Sequence, residues 1–320
     1  MKELTTVKEN GSLDLATNLE KARQYLSSST AENTKRAYRA DWQHFLTWCE
    51  GRNLAALPAS PETIALYLAD LAGEYKTSTV SRRVIGIKRA HLAAGHLSPT
   101  ESDLVKEMLK GIKRKHSTAQ SQKAPLMFGE ISAIVRTIDS GKLKGARDKA
   151  LLLLGYSGFF RRSELVGLKV KNLKFTESGV TVTIERSKTD QEGQGRQVGI
   201  PYGTFPVTCP VEALQAWLSK SGITSGPIFR RVTKGGVIGE SAMTAQGYVD
   251  MIKKYCAGIG LDAENFAGHS LRAGGATQAA VNGASDRAIK KQGGWSSNEY
   301  QKYIREGNLY RDNAADKLGL

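Results

Sequence analysis

Apolar side chains recur at helical spacing through the first 116 residues, in five blocks. Leu13, Leu15, Leu19, Ala22 and Leu26 predict an amphipathic helix over 13–27, behind a polar start at 1–12 that predicts fraying. Tyr38, Trp42, Phe45, Leu46 and Trp48 give 34–50 the apolar mass of a longer helix. Ser60-Pro61 reads as an N-cap followed by proline at the first helical position, where its missing N–H costs nothing. That helix carries Ile64, Leu66, Tyr67, Leu68 and Leu71 and runs up to Gly73. Thr77 or Ser78 caps a fourth helix, with Val80, Val84, Ile87 and Leu92 on one face and an end near Gly95. Ser98-Pro99-Thr100 introduces a fifth, over 101–116.

The polar, non-periodic stretch 117–123 interrupts this pattern and predicts a linker. Beyond it the periods are mixed. Segments 128–139, 146–157, 210–219 and 241–257 read as helices, and Arg161-Arg162-Ser163-Glu164-Leu165 opens a short one. Val180, Val182 and Ile184 alternate with Thr181, Thr183 and Glu185, which predicts a strand over 179–186. After a turn at 191–195 the chain returns as a strand over 196–200, and 170–175 adds a third. The expected fold is mainly α with a small antiparallel β-sheet. Its parts are a helical domain over 1–116, a linker over 117–125 and an α+β domain over 126–320. A tail begins at 308, and its Leu309, Tyr310, Ala314, Ala315, Leu318 and Leu320 lack an obvious home.

Charge points to the partner. The 320 residues hold 46 Lys+Arg against 31 Asp+Glu, a net charge of +15. Residues 1–123 carry 19 basic and 13 acidic side chains, and 124–320 carry 27 and 18. Both halves are therefore suited to a polyanion such as nucleic acid. In the helical half the candidates are Lys35, Arg36 and Arg39 at the start of the second helix. Positive charge is unfavourable there unless a phosphate lies nearby. Ser81, Arg82, Arg83, Lys88 and Arg89 form the polar face of the fourth helix, the expected groove-facing one. Lys113 and Arg114 close the fifth.

Other classes lose support. Cys49, Cys209 and Cys256 are far apart, which argues against a zinc site or a disulfide framework and suits a reducing compartment. No secretory leader is expected from the first residues, and the apolar run at 151–154 is too brief to span a bilayer. No phosphate-binding G-x-x-x-x-G-K-[ST] occurs, so ATP use is not supported.

The chemistry concentrates in 268–305: Gly268-His269-Ser270-Leu271-Arg272, then Gly293-Gly294-Trp295, then Lys302-Tyr303-Ile304-Arg305. His269 and Arg272 are three residues apart, a spacing that shares a face on a helix. An imidazole, a guanidinium and a phenol around one anion suit a phosphodiester under attack. These motifs, together with Arg161-x-Ser163-Glu164-Leu165, resemble the signature of the tyrosine recombinases, the phage integrase family, and its Cre-like site-specific members.

The resemblance implies two domains that close on DNA as a C-shaped clamp, a helical core-binding domain and a catalytic domain. It implies a homotetramer on two double-stranded recombination sites, cleaving and rejoining strands through a 3′-phosphotyrosyl intermediate. The expected setting is bacterial cytoplasm, with a nucleoid, plasmid or phage. By the same resemblance Arg161 and Arg272 hold the phosphate, Glu164 orients Arg161, and Lys188 protonates the leaving oxygen. Lys169, Lys171 and Lys174 are the local competitors of Lys188. His269 acts as general base or phosphate donor, and Trp295 packs beside the phosphate. Tyr303 is the nucleophile. The interval from Trp295 to Tyr303 is eight residues, one shorter than is common in the family, which keeps Tyr300 open as the alternative and Tyr310 as a distant third. Two other functions stay open: a type IB topoisomerase or telomere resolvase with the same residues, and a DNA-binding protein without catalysis. The tail is expected to dock on the next subunit.

Overall fold

A computed structural model of the chain describes residues 13–28, 30–116, 122–185, 195–304 and 318. The expectations for 1–12, for 117–121, for Lys188 and most of its turn, and for the tail apart from Leu318 lie outside these residues. The chain divides into two compact units, Met1–Ser121 and Gln122–Leu320.

The first unit is helical: α1 (Leu13–Ser28), α2 (Glu32–Glu50), α3 (Pro61–Leu71), α4 (Thr77–Ala93) and α5 (Asp103–Lys115). Ser60 caps α3 as its sequence implies, its Oγ accepting from the Thr63 N–H at 3.2 Å. Ser102 caps α5 in the same way, so that helix starts two residues later than its leading proline suggests. Phe45, Ile64, Tyr67, Leu68, Val80, Ile87 and Val105 are buried together as the core of this unit.

The second unit is α+β. Its helices are α6 (Phe128–Thr137), α7 (Leu143–Ser157), α8 (Arg162–Val166), α9 (Pro210–Ser221), α10 (Ala245–Gly258), α11 (Ser270–Val281) and α12 (Asp286–Gly293). Strands β1 (Leu173–Thr176), β2 (Gly179–Ile184) and β3 (Arg196–Pro201) form an antiparallel sheet in that order. Val182 faces Val198 and Val180 faces Ile200, so the alternating apolar positions of both strands reach the core. Leu151, Leu152 and Leu154 of α7 are fully buried at its centre, each stabilising the fold by about 2 kcal/mol.

Two expectations need correction. A second hairpin, β4 (Arg230–Val232) with β5 (Ile238–Ala242), takes up Ser241 and Ala242, which the apolar pattern had assigned to a helix. Thr244 decides the boundary: its Oγ1 accepts from the Gly247 N–H at 3.0 Å, so α10 begins behind it. The strand expected over 170–175 begins only at Leu173, because Val170–Asn172 forms a 3-10 turn; another 3-10 turn, Asn298–Lys302, leads to Tyr303.

Helix α11 runs against the segment that enters this unit. The Leu126 N–H donates to the Ser270 carbonyl at 3.0 Å, and a Cβ on Gly274 would lie 1.7 Å from the Leu126 carbonyl oxygen. Backbone cannot yield as a flexible side chain can, so Gly274→Ala is expected to cost about 3 kcal/mol. Gly111 of α5 has nothing within 4 Å of its missing Cβ, and Gly111→Ala should gain up to about 1 kcal/mol. Urea unfolding of the two variants measures the contrast, and equal midpoints would contradict it.

Candidate active site

Arg272 lies in the first turn of α11 and is fully buried. Its Nη1 donates to the carbonyls of Phe159 and of Gly293, the latter at 3.0 Å. Phe159 adopts φ of +47°, an unusual conformation for a bulky residue, in the turn between α7 and α8. The other donors of Arg272, Nε and Nη2, are buried without a hydrogen-bond partner among the described residues. Burial, and then the neighbouring Arg161, hold its pKa below the usual arginine value. A guanidinium in that state is charged, half satisfied and ready for an anion.

Two aromatic rings lie against it, and a third ring, that of His269, faces the second. The guanidinium carbon of Arg272 lies 3.8 Å from the Trp295 ring centre and 5.2 Å from that of Tyr303. Trp295 and Tyr303 are 5.2 Å apart, and the His269 ring is 6.0 Å from Tyr303. Gly293 makes room for the indole, since a Cβ there would meet it at 1.8 Å. The carbonyl of Tyr303 accepts from Thr277 Oγ1 at 3.1 Å, which ties the residue to α11. His269 does not share the buried face of Arg272. It stands just before α11, exposed, because the helix begins only at Ser270.

Arg161 precedes α8 and pairs with Glu164, Nη1 to Oε1 at 2.7 Å, while its own N–H donates to the other carboxylate oxygen at 3.0 Å. The Glu164 carboxylate is buried, and it also accepts from Arg196 at 2.9 Å. Arg161, Glu164, His269, Arg272, Trp295 and Tyr303 thus gather in one unit. Tyr300 is different: it is buried, and burial followed by a hydrogen bond to Asp286 raises its pKa.

Residues 126–307 match the pattern of the phage integrase family. The chain belongs to that family. It is 40% identical over 302 residues to an integrase/recombinase XerD homologue of Selenomonas ruminantium, covering 93% of this chain and 89% of the relative. It is 24% identical over 297 residues to the Cre recombinase of Escherichia phage P1, covering 86% and 84%. Among solved structures, XerH bound to a difH substrate in a post-cleavage complex aligns with a TM-score of 0.59 at 18% identity, covering 81% of this chain and 72% of that one. A lambda integrase dimer bound to a core site aligns with a TM-score of 0.59 at 16% identity, covering 92% and 96%. The activity is that of a site-specific tyrosine recombinase.

In the recombinase's helical unit the basic candidates are spread over three helices. Arg36, Arg39, Lys113 and Arg114 are exposed. Lys35 pairs with Glu32 at 3.3 Å, since α2 starts early enough to include that acid, and this eases the basic start without a phosphate. Arg82 makes two hydrogen bonds to Asp41, at 2.7 and 2.9 Å, and Lys88 pairs with Glu101. Arg89 bonds Thr30 at 3.1 Å, and Ser81 is half-buried. Arg83 departs from the groove-facing expectation. It is buried beside Asp41 with its guanidinium carbon 4.0 Å from the Tyr75 ring centre, because a buried carboxylate on α2 draws cations from α4. No described helix is long and apolar enough to cross a membrane.

Sequence reasoning missed Arg196 altogether. The only signal available was its place as the first residue of the returning strand. If the unpartnered donors of Arg272 await an anion, inorganic phosphate should raise the thermal midpoint of the wild-type chain more than that of Arg272→Met at equal ionic strength. At a hundred times its dissociation constant the ligand contributes about 2.7 kcal/mol. Equal shifts in scanning fluorimetry would count against an anion seat there.

Proposed function

We propose that the phenol of Tyr303 attacks a DNA backbone phosphorus, expels the sugar 5′-oxygen and leaves a 3′-phosphotyrosyl link. A 5′-hydroxyl from the partner strand then attacks the same phosphorus and releases the tyrosine. The bond energy is kept in the covalent link, so the cycle needs neither ATP nor a metal. One observation carries this reading: a buried guanidinium with two unused donors sits 5.2 Å from the ring of a tyrosine that is also 6.0 Å from an imidazole.

Arg272 and Arg161 meet the negative charge that builds on the non-bridging oxygens. Glu164 fixes the fork of Arg161. His269 exchanges the tyrosine proton or donates to the phosphate. Trp295 covers Arg272 and excludes water from it. Lys188, in the connection between β2 and β3, protonates the leaving oxygen. Tyr300 is the weaker nucleophile, because its phenol is enclosed and already engaged with Asp286. The helical unit, 1–116, binds the same duplex through its basic residues, and 117–125 links it to the catalytic unit, 126–320.

Two duplexes require four copies of the chain. Lambda integrase has been solved as a tetramer bound to a Holliday junction, with a TM-score of 0.59 to this chain. A small, mostly apolar cleft of about 220 Å³, lined by Phe159, Ala279, Ala284, Ala288 and Ile289 with Ser157 and Gln292, offers a seat for the apolar tail of a neighbouring copy. Leu309, Leu318 and Leu320 supply the matching chemistry.

A nicked suicide duplex carrying the footprinted site tests the chemistry. The wild-type chain should form a covalent adduct, and Tyr303→Phe should lower it by more than about a thousandfold. Tyr300→Phe should keep the adduct and lose about 1 kcal/mol of stability. The reverse pattern would assign the nucleophile to Tyr300. Deleting 308–320 should leave binding to one duplex and abolish pairing of two, measured by light scattering. Intact pairing would rule out tail docking.

A further inference from the structure

Arg196 has no role in the chemistry described above, yet it joins the two halves of the cationic site. Its Nη2 donates to Glu164 Oε2 at 2.9 Å, and the other oxygen of that carboxylate holds Arg161. Its Nη1 donates to the carbonyl of Gln292 at 3.0 Å. The next carbonyl along, that of Gly293, holds Arg272. A continuous chain of contacts therefore runs from Arg161 through Glu164, Arg196 and the 292–293 backbone to Arg272. The two guanidiniums are 111 residues apart in sequence, and Arg196 spans from the α8 carboxylate to the end of α12.

The surroundings are built for it. Gly294 takes φ of +67° and lies against the Arg196 side chain, where a Cβ would come within 2.5 Å of Nε. The guanidinium caps a carbonyl in the last turn of α12, where positive charge is favourable. Arg196 also opens β3, directly after the connection that carries Lys188. Its planar fork reaches two acceptors in different directions, which a lysine ammonium on a flexible stem does not reproduce.

We infer that Arg196 is a positioning residue for strand cleavage: it sets the spacing of Arg161 and Arg272 by tying Glu164 to the turn that carries Gly293 and Trp295. It acts through those residues and not by contact with the phosphate. This rests on the proposed roles of Arg161, Arg272 and Tyr303. Displacing one guanidinium by about 1 Å is enough to slow such a reaction by about a hundredfold.

The test uses the full-length protein and a nicked suicide duplex carrying the site that the wild-type chain footprints. Single-turnover cleavage, DNA affinity and thermal midpoint are measured for Arg196→Met and Arg196→Lys, and cleavage for Arg161→Lys with and without Arg196→Met. Arg196→Met should cleave about a hundredfold more slowly at unchanged affinity and near-unchanged midpoint, and Arg196→Lys should recover part of the rate. The double variant should be less impaired than the product of its two single losses, because both changes act on one network. A cleavage rate within twofold of wild type, a loss that follows the thermal midpoint, or strictly multiplicative losses would overturn the inference. If the wild-type chain itself forms no adduct, the proposed function fails and this inference with it.

Discussion

The catalytic unit depends on one costly burial, that of the Arg272 guanidinium. Removing a cation from water is unfavourable unless its donors are met. Among the described residues only Nη1 is met, by two backbone carbonyls, and the strongest charge nearby is another guanidinium, Arg161, ahead of the Glu164 carboxylate. The fold holds this arrangement by packing: α11 against the segment at Leu126, the Phe159 turn against α11, and Trp295 over the guanidinium face. Energy stored this way is returned when an anion arrives, and a phosphate at the transition state carries more negative charge than one at rest.

Much of this was legible in the chain. Ser60-Pro61 gave the start of α3 because capping chemistry is local. The alternation of Val180, Val182 and Ile184 gave β2 because one face of that strand is buried. Phosphate chemistry leaves few workable residue types, so His269, Arg272 and Tyr303 stood out as candidates by kind and spacing, whereas Arg161 was singled out only by the resemblance of its motif to the family's. What stayed hidden depends on tertiary contacts. Arg82 and Arg83 read as groove-facing residues, but a buried Asp41 on another helix claims both. The β4–β5 hairpin was hidden because 230–242 is mostly polar and glycine-rich without a clear alternation, and Thr244 marks where α10 takes over. Arg196 had no local mark, since its partners lie 32 and 96 residues away.

The two tyrosines three residues apart illustrate how environment outranks spacing. Both follow the indole that lies over Arg272. Tyr300 is sealed into a small apolar cluster with Phe159, Ala276, Ala280 and Ile289, whereas Tyr303 lies half-buried at its edge, facing the histidine. The 3-10 turn ends at Lys302, so the ring of Tyr303 escapes the eclipsed position over Tyr300 that a further residue of the turn would impose.

The most direct measurement is a crystal structure of the Tyr303→Phe chain on duplex DNA containing its site. The account predicts one backbone phosphate with its non-bridging oxygens within hydrogen-bonding distance of Arg272 Nη2 and of Arg161, and the ring of residue 303 in line with the bond to the 5′-oxygen. A structure in which the DNA is bound while Arg272 keeps both donors unpartnered and no phosphate approaches it would contradict the account.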